Sequence, residues 1–208
     1  MPNTPEVSSL TLNRLSIYLR SLRQLEEERV ATISSQELAH RFHLSATQIR
    51  KDLAQFGEFG IRGVGYDVSQ LAQRLSRLLG LERRHAIVIC GIGNLGRALA
   101  EYWGFNHGPF VVVAGVDQDP KKIGKRVGTF VIAAPHEIHR LVRETGAEIG
   151  VLTVPASAAR ESYLALVDAG IRAVLNFTLQ RLEPRPGVRV KNVDLRINLE
   201  ELAFHLGG

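Results

Sequence analysis

The stretch that most constrains this chain is Gly91-Ile92-Gly93-Asn94-Leu95-Gly96, set directly behind the apolar run 86–90 and ahead of a helix-like segment at 97–103. Residues 86–90 have the length and β-branched content of a buried parallel strand. A second apolar run, 110–116, ends on Asp117, 21 residues past Gly96. Strand, glycine turn, helix, strand and terminal acid, in that order, form the dinucleotide-binding arrangement. Gly91 permits the tight turn, Gly93 lets a pyrophosphate approach the backbone, and Gly96 lets the helix sit close to the strand. The helix N-terminus offers free N–H groups and the positive end of its dipole to the phosphates. Asp117 would accept hydrogen bonds from the adenosine ribose and repel a 2′-phosphate, so NAD(H) is expected over NADP(H). Lys121 and Lys122 pull the other way, but the acid at the strand end is the stronger sign.

The remainder of this half continues the α/β alternation. Runs 129–133, 149–154, 171–175 and 188–190 read as further strands, and 135–145 and 158–169 as helices. Thr153-Val154-Pro155 falls at a carboxyl edge of the sheet, where ligands bind in such folds, and its small residues leave room for a nicotinamide ring. His136 and His139 stand three apart on a helix, but no third ligand is near, so no metal is expected. The last segment, 195–206, carries Leu195, Leu199, Leu202 and Leu206 in one stripe that calls for a partner surface. Little chain follows the sheet, and no Ser/Tyr/Lys or His/Asp set is placed for hydride chemistry. A small NAD-dependent dehydrogenase is therefore the lesser alternative.

The first eighty residues have a different pattern. Residues 12–25 read as a helix with Leu12, Leu15, Leu19 and Leu22 inward. Ser34-Ser35-Gln36-Glu37 and Ser45-Ala46-Thr47-Gln48 are two capping boxes, starting helices at 35–41 and 46–55 across the tight turn 42–44. That is a helix-turn-helix spacing. On its second helix Ala46, Ile49 and Leu53 point inward, while Thr47, Gln48, Arg50 and Lys51, behind the Ser45 cap, face out toward base edges and phosphates. Asp52 sits beside the inward stripe and reads as a structural partner. Four glycines between 57 and 65, interleaved with Ile61, Val64, Tyr66 and Val68, suggest a small β-hairpin, a wing with Arg62 and Gly63 near its tip. Residues 69–79 form a further helix, with Leu71, Leu75 and Leu78 inward, and a polar joint follows.

Charge and composition fit an α/β chain with a nucleic-acid partner. The net charge is +5, while residues 1–84 carry 12 basic and 9 acidic side chains, so DNA affinity has to come from a local patch and from doubling. The single cysteine, Cys90, excludes an internal disulfide and fits a reducing cytoplasm. No apolar run is long enough to span a membrane, and the first nine residues are no signal peptide.

Across nearly its whole length the chain resembles the redox-sensing transcriptional repressors of the Rex family. The resemblance rests on Thr47-Gln-Ile-Arg-Lys-Asp-Leu53, Phe56-Gly57-Glu-Phe-Gly60 with Arg62-Gly-Val-Gly-Tyr66, and the glycine turn. It extends to Asp117 with Lys122-Ile-Gly124, Leu152-Thr-Val-Pro-Ala156, Leu175-Asn-Phe-Thr178 and Val193-Asp-Leu195. It implies an N-terminal winged helix-turn-helix domain (1–80), a Rossmann-like NAD(H)-binding domain (81–193) and a C-terminal helix (194–208) swapped between the subunits of a homodimer. NADH would release the protein from double-stranded operator DNA with an inverted repeat, and NAD+ would bind more weakly and compete. By the same resemblance Thr153, Val154, Pro155, Asn176 and Phe177 would surround the nicotinamide half, with Tyr102 near it. Asp194 would pair in one state with an arginine on the first helix of the other subunit. Arg14 is the candidate, and Arg20 and Arg23 lie on the same helix. A CoA- or nucleotide-binding protein, and a constitutive DNA-binding protein that only dimerises through its second domain, are the remaining alternatives.

Overall fold

The computed structural model describes residues 7–61 and 63–206. Contacts divide the chain into two compact units, residues 1–83 and 84–208.

The first unit is built on α1 (Ser9–Glu27), which buries Leu15, Tyr18, Leu19, Leu22 and Leu25. Leu12, expected on that stripe, is 40% exposed, because Thr11 takes the buried position in that turn. The short strand β1 (Thr32–Ile33) leads into α2 (Ser35–Arg41) and α3 (Ala46–Ala54). Ser34 and Ser45 cap these helices, accepting from the Glu37 and Gln48 N–H groups at 3.1 and 3.3 Å. Each such cap contributes about 1 kcal/mol. Beyond α3, Ile61 and Gly65 form an antiparallel bridge. Then β2 (Tyr66–Asp67) pairs with β1 and enters α4 (Val68–Leu78). The wing is thus closed partly by Thr32-Ile33, a partner too short to leave a pattern in sequence. Leu71 and Leu75 of α4 join one core with Leu15, Tyr18, Leu22, Leu38, Ile49 and Leu53. Leu78 is 40% exposed rather than inward.

The second unit opens with β3 (His85–Cys90), α5 (Asn94–Glu101) and β4 (Phe110–Val116). A tight hairpin follows, β5 (Arg126–Val127) and β6 (Phe130–Val131), then α6 (Ile138–Thr145), β7 (Ile149–Leu152), α7 (Ala156–Asp168), β8 (Ala173–Asn176), β9 (Arg189–Asn192) and α8 (Leu195–Leu206). Strands β4-β3-β7-β8-β9 make one parallel sheet in that order. Along β3, Val88 and Cys90 join a core with Ala159, Tyr163 and Leu166 of α7, while Ile87 and Ile89 join another with Ile92 and Ala100. The alternation is that of a sheet covered by helices on both faces. Run 129–133 is not a third parallel strand. Gly128 takes a left-handed φ of +52° and folds 130–131 back on 126–127, leaving a single parallel bridge from Ala133 to Val116. The sheet consequently has five strands where the sequence suggests six. Its order reverses at β3, so the switch crevice lies between the carboxyl ends of β3 and β7.

Candidate functional site

That crevice is where the glycine turn sits. Gly91 has φ +95°, and a Cβ there would meet the backbone of Thr153 and Val154 at 2.8–2.9 Å. A Cβ on Gly96 would run into the Gly91 carbonyl. Gly93 differs: its φ is ordinary and a Cβ would meet nothing within 4 Å. The fold does not need glycine at 93; the open space over the backbone is what a pyrophosphate would fill. Helix α5 starts at Asn94, earlier than the sequence suggests, because Gly91-Ile92-Gly93 alone completes the turn. No side chain caps it, so the first-turn N–H groups of Asn94, Leu95 and Gly96 face that space with the positive end of the dipole.

Asp117 ends β4 beside the turn and is 7% exposed. Its Oδ2 accepts from the Ile92 N–H at 2.8 Å and from Lys122 Nζ at 3.0 Å, and its Oδ1 accepts from the Asp119 N–H at 2.8 Å. Burial pushes its pKa up, but the Asp119 N–H, the Lys122 ammonium and the Ile92 N–H outweigh this and hold it below the ordinary carboxylate value. Three donors leave one of a carboxylate's roughly four acceptor positions for a ribose hydroxyl. Lys122 therefore neutralises the acid. The sequence offers both residues but does not show that they pair.

At the β7 and β8 ends, two of the expected lining residues make hydrogen bonds within the chain. The Thr153 hydroxyl donates to the Gly91 and Cys90 carbonyls at 2.7 and 3.1 Å, so it ties β7 to the turn. Asn176 is 1% exposed; its amide donates to Gln180 O and Asn192 Oδ1, and its Oδ1 accepts the Thr178 N–H and hydroxyl. Its side chain thereby holds the loop after β8 and ties it to Asn192 of β9. Val154 and Phe177 are half-buried and Pro155 is exposed, giving the crevice an apolar side. Tyr102 stands 56% exposed just past the C-terminus of α5, one helix length (about 12 Å) from the turn. Within one subunit it does not line the turn. Cys90 is buried and its thiol is pushed up to about 12 by desolvation, which makes it an inert core residue.

In the first unit Thr47, Arg50 and Lys51 are exposed on α3, and Gln48 is half-buried. Arg50 donates to Ser35 of α2 at 2.7 Å and reaches Thr47 at 3.4 Å. Arg62 lies outside the described residues. Gly63 is exposed, with Ile61 and Val64 on either side of it 70% and 59% exposed. Arg74 of α4 holds the approach to the wing, donating to the Glu58 carbonyl at 3.0 Å with its guanidinium over Phe59.

Arg14 donates to both oxygens of buried Asp52, at 2.6 and 2.8 Å, within its own unit. An acid on the inward stripe of a helix demands such a cation, and the sequence shows the acid without naming which arginine answers it. Arg23 pairs with Glu26, while Arg20 is exposed and pairs with nothing among the described residues. Asp194 starts α8, its Oδ1 accepting the Arg196 N–H at 2.9 Å. Leu195, Leu199, Leu202 and Leu206 are 60–86% exposed, and so are Ile197 and Phe204. No helix among the described residues is long and apolar enough to cross a membrane, and no group of three or more metal-ligating side chains gathers among them.

A winged helix-turn-helix unit joined to a parallel-sheet domain with a dinucleotide-type turn defines a ligand-responsive DNA-binding regulator. Residues 6–54 match the family of putative DNA-binding protein N-termini, and residues 82–180 match the CoA binding domain family. The chain is 46% identical over 201 residues to a redox-sensing transcriptional repressor Rex of Syntrophomonas wolfei, covering 97% of this chain and 96% of that one. It is 40% identical to the Rex of Carboxydothermus hydrogenoformans, with 97% of each covered. A crystal structure of RSP in complex with β-NAD+ and operator DNA superposes with TM-score 0.92 at 33% identity, over 98% of this chain and 94% of that one. RSP in complex with β-NADH gives 0.87 at 31% identity, over 98% and 95%. The chain belongs to the Rex family of redox-sensing transcriptional repressors.

Proposed function

We infer that this protein is a DNA-binding transcriptional repressor that senses the NADH/NAD+ ratio, with NADH releasing it from operator DNA. The observation that carries this is the contrast within the glycine turn. Gly91 and Gly96 are demanded by the fold, whereas a Cβ at Gly93 would meet only open space, the space a ligand lying over the backbone would take. Gly93, Asn94, Leu95 and Gly96 would hold the pyrophosphate, and the remaining acceptor position on Asp117 the adenosine ribose. Val154, Pro155 and Phe177 would face the nicotinamide half. An apolar surface there penalises the charged oxidised ring, which must be desolvated, more than the neutral reduced one. A ligand shifts a conformational equilibrium only by such differential affinity.

The partner of α8 is a second copy of the chain. A lone 12-residue helix is marginal in water, and its exposed leucine stripe has to be covered to hold it. In the dimer, Asp194 would pair with an arginine on α1 of the other subunit, Arg14 being the candidate and Arg20 and Arg23 lying on the same helix, and Tyr102 belongs to that contact surface. Thr47, Gln48, Arg50 and Lys51 face the major groove, with Arg62 and Gly63 at the wing. The nicotinamide serves as effector and is not consumed, and the protein works in the cytoplasm.

Gly93→Val tests the inference. Its Cβ has room, so the variant should fold, bind operator duplex as the wild type does, and lose NADH binding by more than about tenfold, read as quenching of the single tryptophan, Trp103, or by calorimetry. Unchanged NADH affinity in a folded variant overturns the site. Including coenzyme A in the titration separates the cofactor from the other ligand class that binds this fold.

A further inference from the structure

The recognition helix rests on a buried charge. Asp52 of α3 is 0% exposed. Its Oδ2 accepts from Arg14 Nε at 2.6 Å and the Tyr18 hydroxyl at 3.0 Å, and its Oδ1 accepts from Arg14 Nη2 and Gln48 Nε2, both at 2.8 Å. Four donors fill the roughly four acceptor positions of a carboxylate. Three of them come from α1, and the fourth is a side chain on the first turn of α3. The carboxylate therefore fixes the seat of α3 on α1 and, with it, the orientation of Gln48.

That orientation has a chemical consequence. An ionised carboxylate only accepts, so Gln48 must turn its NH2 toward Asp52. One N–H is used; the second N–H and Oε1 remain on a half-exposed side chain. In a capping box Gln48 would instead reach back to the Ser45 N–H; here the buried charge wins. Gln48 is the third residue of α3, in the N-terminal part of the helix that meets base edges in helix-turn-helix proteins. A donor and an acceptor side by side on one amide complement the N7 acceptor and N6–H donor of adenine. Guanine presents two acceptors there and would set O6 against Oε1.

We propose that Gln48 reads an adenine in each operator half-site, and that Asp52, Arg14 and Tyr18 are positioning residues that hold its amide in the reading sense. The proposal rests on the DNA-binding function inferred above. The test takes an inverted-repeat duplex enriched from a random-sequence pool by the full-length protein, replaces each half-site pair in turn, and measures binding at fixed salt by anisotropy. Wild type should lose roughly 5- to 150-fold when the one A·T pair read by Gln48 is replaced. Gln48→Ala should lose that discrimination at that pair alone and keep it elsewhere. Asp52→Asn frees the amide to flip, and Tyr18→Phe loosens its support, so each should narrow discrimination at the same pair. A purely structural role would weaken all duplexes alike. Should Asp52→Asn fail to fold, Gln48→Ala and Tyr18→Phe decide the matter. A Gln48→Ala protein with the full wild-type preference profile overturns the proposal and leaves DNA binding intact. A wild type with no preference among duplexes overturns both.

Discussion

In the proposed site, Asp117 and Lys122 would set cofactor choice through a balance that neither residue shows alone. The acid is buried and charged because three donors hold it so, one of them an ammonium 3.0 Å away. A 2′-phosphate placed near the ribose would meet both the anion and that ammonium. Asp117→Arg removes the repulsion and adds a second cation. It should weaken NADH binding and reduce its preference over NADPH, measured by parallel titrations with the two reduced cofactors. An unchanged ratio would show that the ribose is held elsewhere. The glycine turn and Asp117 were legible in sequence because glycine spacing and a strand-end acid carry their geometry with them. The intrachain hydrogen bonds of Thr153 and Asn176 were not, because a polar residue at a strand end reads the same whether its hydrogen bonds go to a ligand or to the next loop.

Among elements, α1 and α3 are joined by the Arg14–Asp52 pair, and the stability of the first unit depends on it. Removing Arg14 would leave an unpaired buried carboxylate, a change that costs about 3 kcal/mol or more. Arg14→Ala should lower the urea midpoint of the first unit accordingly, followed by hydrogen exchange in α1 and α3; equal protection in wild type and variant would contradict the pairing. The Arg14 hydrogen bonds, opposed by burial and aided by Gln48 and Tyr18, hold the Asp52 pKa below its ordinary value. The unfolded chain takes up the proton near pH 3.9, and the folded one only below that. Stability from this pair is thus complete above pH ~4 and is lost as the pH falls through the folded value. Acid unfolding of the variant should start at higher pH than that of the wild type. The helices of this unit were readable from periodicity and caps. The β1–β2 pairing was not, since two-residue strands have no period, and run 129–133 reads as a sheet strand because four apolar residues in a row look alike in a sheet and in a hairpin.

For the whole molecule, the proposed function depends on two copies acting together. Residues 1–84 carry only 12 basic against 9 acidic side chains, so one copy makes few phosphate contacts, and tight binding needs two half-sites. Leu199→Glu with Leu202→Glu places charge on the exposed stripe of α8. These changes should shift the sedimenting species from dimer to monomer at micromolar concentration and abolish tight operator binding; an unchanged dimer would exclude α8 from the interface. The most direct measurement is the anisotropy of a labelled inverted-repeat duplex bound by the wild-type protein at fixed salt, titrated with NADH and separately with NAD+. Release by NADH at far lower concentration than by NAD+ is the predicted result. Tight binding indifferent to both nucleotides would contradict it.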